Sequence, residues 1–245
     1  MQRKNQPFGF FKKPLVILIG ALCCGAYAQA ASFTWQGSAT GHWHDAVNWD
    51  NGVPNADSTA TISGGPTVNV TQPTDLVKYF YANDATLNIN AGGVLALEQL
   101  NLGHEANTKT TVLVSGIGSA INSGADFAVW RIGNSGEAVI TLENGGQLTS
   151  NGAASPPILQ LGENAGASGT IIADGAALDV LGNKIAAIDI NALMRVGQWG
   201  NGSLQILNGA LANIGIVHVG HYAGSQGSVV ISGQGSTLNT VKEIV

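Results

Sequence analysis

Leu100-Asn101-Leu102-Gly103, Trp130-Arg131-Ile132-Gly133, Leu159-Gln160-Leu161-Gly162, Met194-Arg195-Val196-Gly197 and Val217-His218-Val219-Gly220 are five copies of one phrase, apolar-x-apolar-Gly. Their glycines lie 30, 29, 35 and 23 residues apart, which marks an array of repeats rather than one closed globule. A companion phrase precedes each copy or follows the last. It places two residues, apolar in every case but Thr170, around a third before a glycine-bearing turn: Leu87 and Ile89, Val112 and Val114, Ile140 and Leu142, Thr170 and Ile172, Leu204 and Ile206, Val229 and Ile231. Alternation with period two sends the apolar pair to one face of a strand and the middle residue to the other. The middle residues Asn101, Arg131, Gln160, Arg195 and His218 are therefore expected in water. Gly-Gly and Asn-Gly pairs after the companion phrase supply the positive φ that tight turns require.

A unit of this length cannot bury its single apolar face alone, but stacked units build a continuous core. The sequence predicts an all-β fold, a right-handed parallel β-helix. Its units stack at about 4.8 Å per coil. Ile89, Val114, Leu142, Ile172, Ile206 and Ile231 are expected to form one interior row. A β-sandwich would show turns every 8 to 12 residues without the longer repeat. No stretch carries helical periodicity; residues 184 to 194, with Ile188-Asp189-Ile190, read as a strand. Residues 33 to 54 depart from the repeat and hold Trp35, Trp43 and Trp49, three of the five tryptophans. An open solenoid end must be covered, so these rings predict an N-terminal cap, with a carbohydrate-stacking platform as the functional alternative. The expected division is a signal peptide at 1–30, the cap and first strands at 31–84, and β-helix repeats at 85–245.

The first thirty residues carry Arg3, Lys4, Lys12 and Lys13, then an apolar run over residues 15 to 26, then Ala28-Gln29-Ala30. That is the layout of a cleaved secretory signal, and the run is shorter than the roughly 20 residues a membrane helix needs. Leu22 before Cys23 does not suit lipidation. Both cysteines fall inside this segment, so the mature chain holds no disulfide. Cleavage removes four of ten basic residues and none of the fifteen acidic ones, leaving a net charge of about −9. Nucleic acid and anionic lipid are poor partners for that surface.

Trp35-Gln36-Gly37, Trp43, Asn48-Trp49, Gly52-Val53-Pro54 and repeats such as Val112 to Ser119, Ile140 to Gly146 and Val229 to Ser236 resemble the passenger region of bacterial autotransporters, the type V secretion class. The resemblance covers about residues 32 to 245. It implies an exported β-helical passenger, at the cell surface or released, that serves adhesion, autoaggregation or host contact, with a glycan or host-surface ligand. It also implies a C-terminal β-barrel translocator. Such a barrel needs many strands of about ten residues and does not fit before Val245, so the chain is expected to be a fragment cut within its sixth repeat, the alternative being a passenger secreted by other means.

Chemistry is sparse. A Gly-Asp-Ser-Gly protease setting is absent, and the serines stand in Ser-Gly and Gly-Ser turns. His42 and His44 flank Trp43 and would share one strand face, but two imidazoles are short of the four ligands of a structural zinc site. His104, His218 and His221 read as loop histidines. The Gly-Gly-x-Gly-x-Asp calcium pattern is missing. Parallel β-helices also host polysaccharide lyases and glycosidases, which use paired carboxylates. Asp174, Asp179 and Asp189 in the longest interval are the candidates, although Asp174 reads as a turn residue equivalent to Asn144 and Asn208. Trp130 and Trp199 read as packing residues. The expectation is a non-catalytic structural or adhesive protein without cofactor, metal or catalytic residues, and without nucleic-acid partners. The alternative is a β-helix lyase or glycosidase acting on extracellular glycans.

Overall fold

The computed structural model describes residues 30–124, 128–150 and 157–242. The expected signal peptide lies outside the described residues apart from Ala30. The described chain is all-β and solenoid-like, with parallel strands in long ladders and a single 3-10 turn at Ala46–Asn48 as its only helical element.

One ladder is built from the companion phrase. Thr40–His42, Thr67–Val70, Ala85–Ile89, Lys109–Ser115, Glu137–Glu143, Ser168–Asp174, Asn201–Leu207 and Gln226–Ser232 pair in that order, always parallel. The glycine phrase builds another. Trp130 is in register with Leu100 and Leu159, Leu159 with Met194, and Met194 with Val217. Strands Val94–Leu102 and Ile188–Val196 are nine residues long and divide themselves between this ladder and a third. Residues 94–97 pair with Ala120–Ser123 while residues 100–102 pair with Val129–Ile132. Each return of the chain thus adds one strand to the first two ladders, starting from Ser32–Thr34 on Thr59–Ile62, and from residues 94–97 onward one to the third as well.

Like residues fall on like. Phe80, Leu100, Trp130, Leu159, Met194 and Val217 form a fully buried row, and the same holds for Ala82, Leu102, Ile132, Leu161 and Val196. Burying such rows supplies the main stabilising term, about 25 cal/mol for each Å² of apolar surface. Trp35, Trp43 and Trp49 are buried in this core at its N-terminal end. Trp43 lies edge-on to Trp49, with centroids 4.8 Å apart, and reaches Phe80 at 5.8 Å. The Trp49 indole N–H donates to the Trp43 carbonyl at 2.8 Å. Buried rings offer no platform to an external sugar.

The interior row of the companion ladder differs from expectation in one place. Ile89, Val114 and Leu142 are in register, but Leu142 meets Ala173, and Ala173 meets Ile206. Ile172 pairs with Thr141 and faces outward. Counting back from the turn glycine puts this strand one residue out, because its turn is shorter than Asn144-Gly145-Gly146. What sets the register is the opposite end. Gly169 aligns with Gly202 and Gly227, and a Cβ on Gly169 would stand 1.9 Å from the Ile132 carbonyl oxygen. Only glycine fits beneath the preceding strand's end, so the strand is pinned where it starts. The same slip moves Asp174, which aligns with Glu143 and Leu207; Gly175 is the residue that matches Asn144 and Asn208. Ile231 continues the row but is half exposed, since no further described strand stacks on it.

This register makes a simple forecast. Ile172→Ser should alter stability by no more than about 0.5 kcal/mol, the usual range for surface sites. Ala173→Ser, which buries a hydroxyl with no partner assured, should cost about 1–3 kcal/mol. Urea unfolding of the two variants checks it; equal losses would restore Ile172 to the interior.

Candidate binding surface

The outward residues of the glycine-phrase ladder do not simply face water. Tyr81, Asn101, Arg131, Gln160, Arg195 and His218 are successive neighbours across that ladder. Asn101 is only 4% exposed and Gln160 6%, although both were expected to be solvated. The cover comes from the residue just after each phrase glycine: His104, Asn134, Glu163, Gln198 and His221. The turn folds back over the strand, and successive turns hydrogen-bond to one another. Glu163 donates its N–H to the Gly133 carbonyl at 2.9 Å, and His221 to that of Gly197 at 2.9 Å. Two polar rows result, one on the strands and one on the turns, and they interlock.

The interlocking changes character along the solenoid. Tyr81 meets His104 edge-on at 4.8 Å. In the middle, the Arg131 Nε pairs with Glu163 Oε2 at 2.7 Å, and Asn134 donates to both Glu163 (3.0 Å) and Asn101 (3.4 Å). Further on the contacts become neutral and aromatic. The Gln160 amide donates to Gln198, and the Arg195 Nη1 donates to the same Gln198 oxygen at 3.2 Å. His218 and His221 approach Nδ1 to Nδ1 at 3.3 Å. Burial holds the His221 imidazole below its ordinary pKa, and the charges on Arg195 and His218 push the same way. His221 touches the Tyr222 ring edge-on at 4.3 Å, and Tyr222 stacks on Trp199 with centroids 3.9 Å apart and planes within 11°. Trp199 remains 47% exposed and Tyr222 38%. Trp130, by contrast, is core. The sequence showed each member of this surface, but not that the two rows meet.

Asp174, Asp179 and Asp189 each bond to a different asparagine. Asp179 organises the tip between the short antiparallel strands Ala177–Leu178 and Lys184–Ile185. Its carboxylate accepts N–H bonds from Leu181 and Asn183, both at 2.8 Å, and one from the Asn183 amide at 3.0 Å. Those bonds, Asn183's foremost, hold its pKa below the ordinary carboxylate value. Asp189 accepts from Asn213 at 3.3 Å within an outer amide ladder, and Asn213 in turn accepts from Asn239 at 3.0 Å. Asp174 accepts from Asn208 at 2.7 Å. Sequence reasoning missed that Glu143 stands in register with Asp174 on the neighbouring strand. Glu143 accepts from Asn144 at 3.1 Å and from Ser115 at 3.3 Å. His42 is exposed in its strand, whereas His44 lies beyond the strand end and contacts the Pro73 carbonyl at 3.1 Å. The two do not form a strand-face pair. Among the described residues no three His, Cys, Asp or Glu side chains converge on one point.

The Asp179 carboxylate gives a pH forecast. Because the folded hairpin favours the ionised form, its contribution is present above the ordinary carboxylate pKa. It is lost as pH falls through the lowered folded value. Protection of the Leu181 and Asn183 amides, measured against their intrinsic exchange rates, should therefore fall at acid pH, and Asp179→Ala should show the low protection at every pH. Unchanged protection in that variant would refute the role.

No protein-family model, curated protein or solved structure matches this chain.

Proposed function

We propose that this chain is the exported, right-handed parallel β-helical region of an autotransporter-like surface or secreted protein. It acts as a non-catalytic structural and adhesive element, capped at its N-terminus by the tryptophan cluster. The strong preference of parallel strand connections for the right-handed sense supports the handedness. The basic, apolar and small-residue layout of residues 1 to 30 supports export. Mass spectrometry of protein collected outside the cytoplasm is expected to find a chain starting near Gln29 or Ala31; an intact Met1 would overturn this part.

The observation that carries the adhesive reading is the engagement of the outward polar groups with one another. Asp174, Asp179 and Asp189 each accept bonds from an asparagine that steadies a turn or a ladder. The strand and turn rows form a continuous, repeating surface. Such faces suit weak contacts multiplied over many repeats or many molecules. Display of the chain on a non-adherent bacterium should produce autoaggregation or surface attachment, and no effect in that assay would overturn the reading.

One observation favours a second reading. Glu143 and Asp174 are carboxylates on adjacent strands, the kind of pair a glycan-cleaving β-helix needs. Incubation with a panel of polysaccharides decides between the two. Turnover that disappears in Glu143→Gln or Asp174→Asn would establish the enzyme.

A further inference from the structure

We propose that Arg195, His218, His221, Trp199 and Tyr222 form a subsite for a carboxylate-bearing sugar, a hexuronic acid unit of an extracellular polysaccharide. The proposal deepens the adhesive reading and rests on it for the setting in which such a polymer is met.

Two arginines occupy equivalent places in the strand row, and their partners differ. Arg131 is neutralised by Glu163, the turn residue one repeat further on. The residue in that relation to Arg195 is His221. Among the described residues Arg195 forms no ion pair, its Nη1 is held by a neutral amide, and its buried Nε has no partner. A partly buried guanidinium without a carboxylate leaves desolvation uncompensated. His221 thus stands where the equivalent turn holds a carboxylate beside Arg131, and an anion brought by a ligand would supply the negative charge that Arg195 lacks. The planar fork of a guanidinium matches a carboxylate better than other anions of similar size.

The neighbours match a sugar. A pyranose presents a face of C–H groups, which packs against an aromatic plane, and ligand sites typically combine such rings with a few placed polar groups. Trp199 and Tyr222 provide the rings, and His221 joins them to the cation by touching Tyr222. Imidazole nitrogens of His218 and His221 can donate to or accept from ring hydroxyls.

The probes are trigalacturonic acid, its methyl ester and maltotriose, titrated into the purified chain. Trp35, Trp43, Trp49 and Trp130 are buried, so a change in tryptophan emission reports Trp199. Trigalacturonate should shift or quench the emission saturably, with affinity falling as salt rises from 50 to 500 mM, about the range over which charge contacts are screened. The methyl ester, which keeps the sugar rings and hydroxyls but is uncharged, should bind at least about tenfold more weakly, as should maltotriose. Arg195→Gln and Tyr222→Ala should each lose at least about tenfold in affinity for the acid. Should circular dichroism show Arg195→Gln misfolded, Tyr222→Ala on its exposed turn and the ester comparison decide. No saturable signal, equal binding of acid and ester, or full affinity in the folded variants would overturn the subsite. Attachment without uronate binding defeats the subsite and leaves the adhesive reading standing; uronate binding without attachment does the reverse.

Discussion

Leu142→Asp is expected to unfold the central repeats, at a cost of about 4–5 kcal/mol. Leu142 is fully buried between Val114 and Ala173, in a row where every neighbour is apolar. A carboxylate there has no hydrogen-bond donor to meet it and cannot reach water without breaking the strand. In a stacked array each repeat is held by its neighbours, so damage in the middle removes two interfaces at once. For a chain of this size, about 2–4 °C of melting temperature goes with each kcal/mol, which puts the expected drop at about 10 °C or more. Thermal unfolding followed by circular dichroism reads it. A melting temperature equal to the parent's would refute the interior row.

Gly133→Ala is expected to be nearly as damaging, although it adds a single methyl group. Gly133 has φ of +70°, and a Cβ there would stand 2.1 Å from the Ser168 carbonyl oxygen. Backbone on both sides is fixed by ladder hydrogen bonds, so neither partner can give way. Left-handed strain and overpacking each cost about 1–3 kcal/mol, and together they should take about 3–5 kcal/mol from the folded state. Gly175→Ala, also at positive φ but with nothing within 4 Å of the added carbon, should cost only the conformational part, about 1–2 kcal/mol. The gap between the two in urea midpoint measures the close contact. No gap would mean that the glycine phrase is kept for its dihedral angle alone.

Two repeated phrases made the strands, the parallel stacking and most of the interior legible in advance, because a strand of period two carries its buried face openly in its residue types. Trp130 and Leu159 could be aligned by eye and do align in the fold. Ile172 shows where that reading stops. Thr170, Ile171 and Ile172 allow either face to be buried, and the choice was made by Gly169 wedging beneath Ile132, a contact between residues far apart in the chain.

The polar surface shows the same division. Asn101, Arg131 and Gln160 were correctly placed on the outer face of their strands by alternation. Their burial was decided by turns that fold back and hydrogen-bond to the turns before them. The pairing of Glu143 with Asp174, the ion pair of Arg131 with Glu163, and the ring stack of Trp199 on Tyr222 are all contacts between repeats. Alternation and turn chemistry are local, and a sequence by itself determines which face each residue takes within its own strand. Contacts across the ladder depend on the register between strands, and that is set by close backbone packing that only the tertiary structure contains.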